Sequence, residues 1–153
     1  MRSKSVSLSG SSNRLAVGGY GDACDYISCR GAVWVFRVTA SGAFVQSNKL
    51  VGGDAPGGLQ GFAVALSSTG RVIIAGAPGR VRTNDRGAAF IWRENKDGAW
   101  IQQGPITGMG DSAGSAFQGL WVATSGKGDV CALGGIPDDL GGTWVFRQQF
   151  IAT

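Results

Sequence analysis

The sequence predicts an all-β protein, and three observations predict it. One unit recurs three times along the 153 residues. Each unit holds short runs rich in Val, Ile, Phe and Trp, bounded by Gly, Ser, Asn and Asp, which is the pattern of strands closed by tight turns. Helix formers are scarce: Glu94 is the one glutamate, there are four lysines, and glycine supplies 27 residues. That share is far above the usual ~7%. Hydrophobic residues at 43% allow a packed core, and the length fits one domain. Collagen, coiled coil, an acidic tail and a mostly helical bundle are excluded by the same numbers.

The repeat is read from three sets of markers. Val6-Ser-Leu-Ser9 recurs as Val64-Ala-Leu-Ser67 and as Val122-Ala-Thr-Ser125. Leu15-Ala-Val-Gly-Gly19 corresponds to Ile73-Ile-Ala-Gly-Ala77 and Cys131-Ala-Leu-Gly-Gly135. Gly31-Ala-Val-Trp-Val-Phe-Arg37 returns as Gly87-Ala-Ala-Phe-Ile-Trp-Arg93 and Gly141-Gly-Thr-Trp-Val-Phe-Arg147. Gly18, Gly76 and Gly134 stand 58 residues apart, whereas Gly31, Gly87 and Gly141 stand 56 and then 54 apart. The segment between the two glycine markers therefore shrinks along the chain, and one loop absorbs the length variation.

Each element of the middle unit follows from local chemistry. Strands are predicted over Phe62–Ser67, Arg71–Ala77, Ala88–Glu94 and Ala99–Ile106. Ser68-Thr-Gly70 closes the first pair as a tight hairpin, and Asn95-Lys-Asp-Gly98 closes the last, with Asp-Gly as a strong turn signal. Third strands such as Ala32–Phe36 are apolar on both faces, as strands between neighbouring sheets are. Four strands per unit at a period near 50 describe β-propeller blades. The expected organisation is a single repeat domain, 1–153, with blades over roughly 5–50, 61–106 and 119–153. Three blades do not close a ring of the usual ~4 to 8. Two chains forming a six-bladed ring, a piece of a longer propeller, or a short open array are the three solutions.

The segment from Gln60-Gly-Phe-Ala-Val-Ala-Leu-Ser67 through Gly76-Ala-Pro78 to Gly87-Ala-Ala-Phe-Ile91 resembles the FG-GAP repeat, the unit of integrin-α-type propellers. The resemblance covers nearly the whole chain as three copies. It departs at Gln60 and Gln118, which stand where the family has Phe, and Gly-Ala-Pro occurs only in the middle unit. Gly-Gly after an apolar strand also resembles kelch repeats. The FG-GAP resemblance implies an extracellular or cell-surface setting and a ligand on the variable-loop face. Some family members bind calcium between their first two strands. Here those turns are short and carry one carboxylate among them, so no metal or cofactor is expected.

The net charge of +4 is mild and its arginines are spread along the chain, which speaks against nucleic acid as a partner. Histidine is absent, so the commonest general base and zinc ligand are missing. The N-terminus has no apolar signal-peptide core, and no apolar run is long enough to span a membrane as a helix. Cys24 and Cys29 could form a local disulfide or remain two loop thiols, and Cys131 sits in an apolar run that predicts burial.

The candidate ligand-binding residues lie in the variable loops. They are Tyr20, Asp22 and Tyr26 in the first, Arg80, Arg82 and Arg86 in the second, and Asp138 and Asp139 in the third. Tyrosines with polar neighbours suit protein recognition, the arginines an anionic glycan or acidic peptide. Arg37, Arg93 and Arg147 recur at one repeat position and read as structural, as do the ladders Trp34, Phe90, Trp144 and Phe36, Trp92, Phe146. The expected function is a non-catalytic recognition or adhesion module for a protein or glycan. A scaffold segment of a larger propeller is the alternative, and a propeller hydrolase or lyase a more distant one.

Overall fold

The computed structural model describes residues 4–24, 29–53, 58–79, 86–109, 116–136 and 142–147. The chain is all-β, with three antiparallel sheets. The first sheet runs β1 (Ser5–Leu8), β2 (Arg14–Gly19), β3 (Ala32–Val38) and β4 (Phe44–Leu50) in sequence order. The second repeats this with β5 (Val64–Leu66), β6 (Val72–Ala77), β7 (Ala88–Glu94) and β8 (Trp100–Ile106). The third holds β9 (Trp121–Thr124), β10 (Val130–Gly135) and β11 (Gly142–Arg147). The expectation of four strands in every blade is thus corrected to four, four and three among the described residues, and the sheets form no closed propeller. The segment expected to supply the twelfth strand, 148–153, lies outside them.

Strand length departs from expectation at one instructive place. β5 begins at Val64 rather than Phe62, because the residues before it turn across the end of β6 in the same blade. The Gly61 and Phe62 N–H groups both donate to the Gly76 carbonyl, at 2.9 and 3.2 Å. The Gly119 N–H does the same to Gly134, at 3.0 Å. Gln60 forms a parallel bridge with Gly31, and Gln118 with Gly87. Each lead-in segment therefore lies against the preceding blade. A Cβ at Gly76 would strike the Gly119 carbonyl, so only glycine admits this approach.

The departures from Phe-Gly have a physical role. Gln60 is fully buried, and its Oε1 accepts the Gly52 N–H at 2.9 Å. Gln118 bonds Gly108 twice, its Oε1 accepting the N–H and its Nε2 donating to the carbonyl. Both side chains satisfy buried backbone groups of the blade-to-blade connection. The recurrent serines act at the opposite end. Ser9, Ser67 and Ser125 each accept, at Oγ, the N–H of the first residue after their hairpin turn, namely Arg14, Val72 and Val130.

Two cores lie between the sheets. Between the first and second, Ala16, Val33 and Val35 meet Val64, Ile73, Phe90 and Trp92. Between the second and third, Val72, Ile74 and Ile91 meet Cys131 and Leu133, flanked by Trp144 and Phe146. Phe90 and Trp92, then Trp144 and Phe146, form packing surfaces between neighbouring sheets, whereas Trp34 and Phe36 belong to neither core, and the side chains of β6 and β7 alternate between the two cores. Ser5 and Ser7 of β1 accept the Val64 and Leu66 N–H groups through their hydroxyls, at 2.9 and 3.0 Å, stitching the innermost strands together. The two outermost faces of the array stay open. Val6 and Leu8 on one end, and Trp121 and Val145 on the other, are more than half exposed.

Candidate functional site

The innermost strands start at the end of the sheets where the variable loops arise, and there they enclose a pocket of about 330 Å3. It is lined by Lys4, Ser5, Phe62, Ala63, Leu120, Trp121 and Ile136, a mainly apolar set. All three repeats contribute equivalent positions. Lys4, Phe62 and Leu120 are 58 residues apart in turn, as are Ser5, Ala63 and Trp121. The Lys4 ammonium sits 3.5 Å from the centre of the Phe62 ring. Tyr20 meets the same ring edge-on at 5.7 Å. The arrangement is an aromatic floor with a cation on top and one hydroxyl, Ser5, beside it. It can stack a flat or C–H-rich ligand and orient it through few polar contacts.

The loop candidates fare unevenly. Tyr20 is drawn into this pocket region by Phe62. Asp22 pairs with Lys49 at 2.6 Å, and the Lys49 ammonium lies 5.1 Å from the Trp34 ring. Asp22 is therefore committed within the chain rather than presented alone. Cys24 and Cys29 are disulfide-bonded. The Arg30 and Gly31 N–H groups donate to the Ala23 and Asp22 carbonyls, which closes the base of that loop. Arg86 is exposed beside the Gly87 bridge. Tyr26, Arg80, Arg82, Asp138 and Asp139 lie outside the described residues. The pocket residues Phe62, Leu120, Trp121 and Ile136 were missed by sequence reasoning. Phe62, Leu120 and Trp121 carry a signal in their unbroken 58-residue spacing from Lys4 and Ser5, and Ile136 carries none.

The opposite end of the sheets, where the short hairpins lie, has a different character. Arg14, Arg37, Arg71, Arg93 and Arg147 with Lys96 and Lys127 stand there against Glu94, Asp97 and Asp129. That is an excess equal to the whole chain's net charge of +4. Asp129 is held below the usual carboxylate range, first by the Ser125 hydroxyl that donates to it and next by its own backbone N–H. Burial lowers the Arg93 guanidinium's pKa. Burial also pushes the Cys131 thiol up, so it stays protonated and packs as a small apolar group.

No family model and no curated protein matches the sequence. Solved structures do match the fold. The periplasmic gluconolactonase PpgL of Pseudomonas aeruginosa superposes with a TM-score of 0.59 at 14% identity, over 94% of this chain and 38% of that one. Hydrazine synthase of Kuenenia stuttgartiensis superposes with a TM-score of 0.52 at 13% identity, over 96% of this chain and 45% of that one. The chain thus spans less than half of each neighbour's length, and what it shares with them is a propeller-like fold. Neither neighbour is an FG-GAP protein. The expectation that the protein is not an enzyme is corrected here, because the array matches part of a gluconolactonase. The absence of histidine does not exclude catalysis on this fold.

Proposed function

We propose that the chain is a three-blade portion of a ligand-binding β-propeller, and that its ligand is a sugar-sized molecule held in the pocket at the loop-side end of the innermost strands. The observation that carries this is the pocket's construction from equivalent positions of all three repeats, with Trp121 as the exposed aromatic surface, Phe62 holding the Lys4 ammonium in place, and Lys4 and Ser5 as polar contacts. Sugar rings present C–H groups to aromatic faces and hydroxyls to a few polar side chains, which matches this lining. The expected glycan class of ligand is kept, and its site moves from the loop tips to the axis. Tyr20 and Asp22 are already engaged within the chain. The gluconolactonase likeness makes a sugar lactone and its open acid the first compounds to try, both as ligands and for turnover.

The test is a titration followed by tryptophan fluorescence. Trp121 is 59% exposed and reports on the pocket. Glucono-δ-lactone, gluconate and a panel of neutral oligosaccharides are added to the wild type and to Phe62→Ala and Trp121→Ala. A saturable change in the wild type, weakened about tenfold in Phe62→Ala, supports the reading; a tenfold change corresponds to ~1.4 kcal/mol. No saturable response to any of these compounds, or equal affinity in Phe62→Ala, overturns it.

A further inference from the structure

We infer a second binding site, for a doubly charged oxyanion, in the cleft between the first and second blades on the hairpin end of the array. It is distinct from the axial pocket and uses none of its residues.

At its centre is Glu94, whose carboxylate is only 4% exposed. Three guanidiniums converge on it. Arg14 Nη2 donates to Oε1 at 2.9 Å and lies 2.8 Å from Oε2. Arg37 Nη2 donates to Oε1 at 2.7 Å. Arg71 Nε stands 3.5 Å from Oε2, and its Nη2 donates to the Asn95 carbonyl at 3.0 Å. Arg14 and Arg37 belong to the first blade, while Arg71 and Glu94 belong to the second. The cluster therefore bridges the seam between the blades.

A pure structural clamp would balance its charge, and this one does not. Arg14, Arg37, Arg71 and Lys96 face Glu94 and Asp97 across a cleft of about 460 Å3, leaving two positive charges uncompensated. One carboxylate cannot use the donors of three guanidinium forks. Arg14 Nη1 is buried with no acceptor among the described residues, although Arg14 lines the cleft and its guanidinium is packed over Trp100 at 5.6 Å. Arg37 and Arg71 keep 44% and 51% of their side chains exposed, so their remaining donors face solvent in the cleft. Guanidinium forks match tetrahedral oxyanions in geometry, and a dianion such as sulfate or phosphate balances the charge. The whole hairpin end carries the chain's net positive charge, which draws such an ion to this side.

The same charge and tetrahedral geometry are offered by free sulfate or phosphate and by a phosphate monoester on a sugar. Calorimetric titration of the full chain with sodium sulfate and sodium phosphate tests the site, with sodium chloride at matched ionic strength as control. Glucose 6-phosphate beside glucose separates an ester from a free ion. We expect saturable binding of sulfate and phosphate but not chloride, and a loss of tenfold or more in Arg37→Ala and in Arg71→Ala, whose side chains are about half exposed. Glu94→Gln should tighten binding several-fold, since it frees donors and removes a negative charge. Tighter binding of glucose 6-phosphate than of inorganic phosphate assigns the ester as the ligand, whereas equal or weaker binding assigns the free ion. Chloride matching sulfate, or affinity unchanged in both arginine variants, overturns the proposal. Binding lost in Phe62→Ala but kept in Arg37→Ala would also overturn it, by placing the ion in the axial pocket.

Discussion

Replacing Gln60 and Gln118 by leucine, one at a time, tests whether these two side chains join the blades through hydrogen bonds rather than through bulk. The two sites are near copies, and their difference in bonding gives a difference in cost. Gln118→Leu strands both the N–H and the C=O of Gly108. Each abandoned buried group costs ~1–3 kcal/mol, and leucine's better burial returns part of that, so a net loss of ~2–4 kcal/mol is expected. Gln60→Leu strands only the Gly52 N–H, and it removes an amide nitrogen, Nε2, that is buried with no partner among the described residues. The second effect offsets the first, and the net loss should be ~0–2 kcal/mol. Urea unfolding followed by circular dichroism, with the slope checked for constancy, measures both variants against the wild type. Gln118→Leu should lower the midpoint clearly more than Gln60→Leu. Equal losses, or a larger loss at Gln60, would refute the hydrogen-bond account and leave side-chain volume as the determinant.

Glycine at the blade junction should discriminate in the same way. Gly76→Ala drives a Cβ into the Gly119 carbonyl, which is backbone and cannot yield, so we expect a loss of ~3 kcal/mol or more in thermal unfolding. Gly134→Ala, at the equivalent position of the third unit, meets the Trp121 side chain at 3.2 Å and should change stability by less than ~1 kcal/mol. A loss at Gly134 as large as at Gly76 would show that a further blade covers it, as ring closure by a second copy requires. Asp129 gives a pH dependence: its folded pKa lies below the ordinary 3.8, so its contribution is complete above about 3.8 and is lost as pH falls through the folded value. Ser125→Ala removes the largest cause, and an NMR titration of the Asp129 carboxyl should then move up towards 3.8. An unmoved titration would discard the hydroxyl as the cause.

Reading the sequence located the elements more surely than the site. β7 matches the predicted Ala88–Glu94, and the hairpin turn at Asn95–Gly98 forms as expected, with Asn95 Oδ1 accepting the Asp97 and Ala99 N–H groups at 3.0 and 2.8 Å. Those features depend on residues a few positions apart. Gln60 and Gln118 read as departures from a motif, because their partners at Gly52 and Gly108 are set by how one blade meets the next. Arg37 was read as structural from its recurrence, and its bond to Glu94 is indeed a contact between blades. The arginine surplus around that one carboxylate was invisible, since Arg71 and Arg14 have no matching charge at the equivalent positions of every repeat.

By itself the sequence determined the threefold repeat, the strand order within each unit and the turns that close the hairpins. Alternation of side chains with period two and the backbone needs of tight turns are local, so they are written in neighbouring residues. Only the tertiary structure decided which repeated positions would meet. Arg14 reaches Glu94 across 80 residues of chain and Arg37 reaches it across 57. Lys4, Phe62 and Leu120 share a pocket although each lies in a different blade. Stacking the blades brings one side chain from each repeat to the axis and one ion cluster to the seam, and that convergence depends on packing between sheets rather than on any local preference.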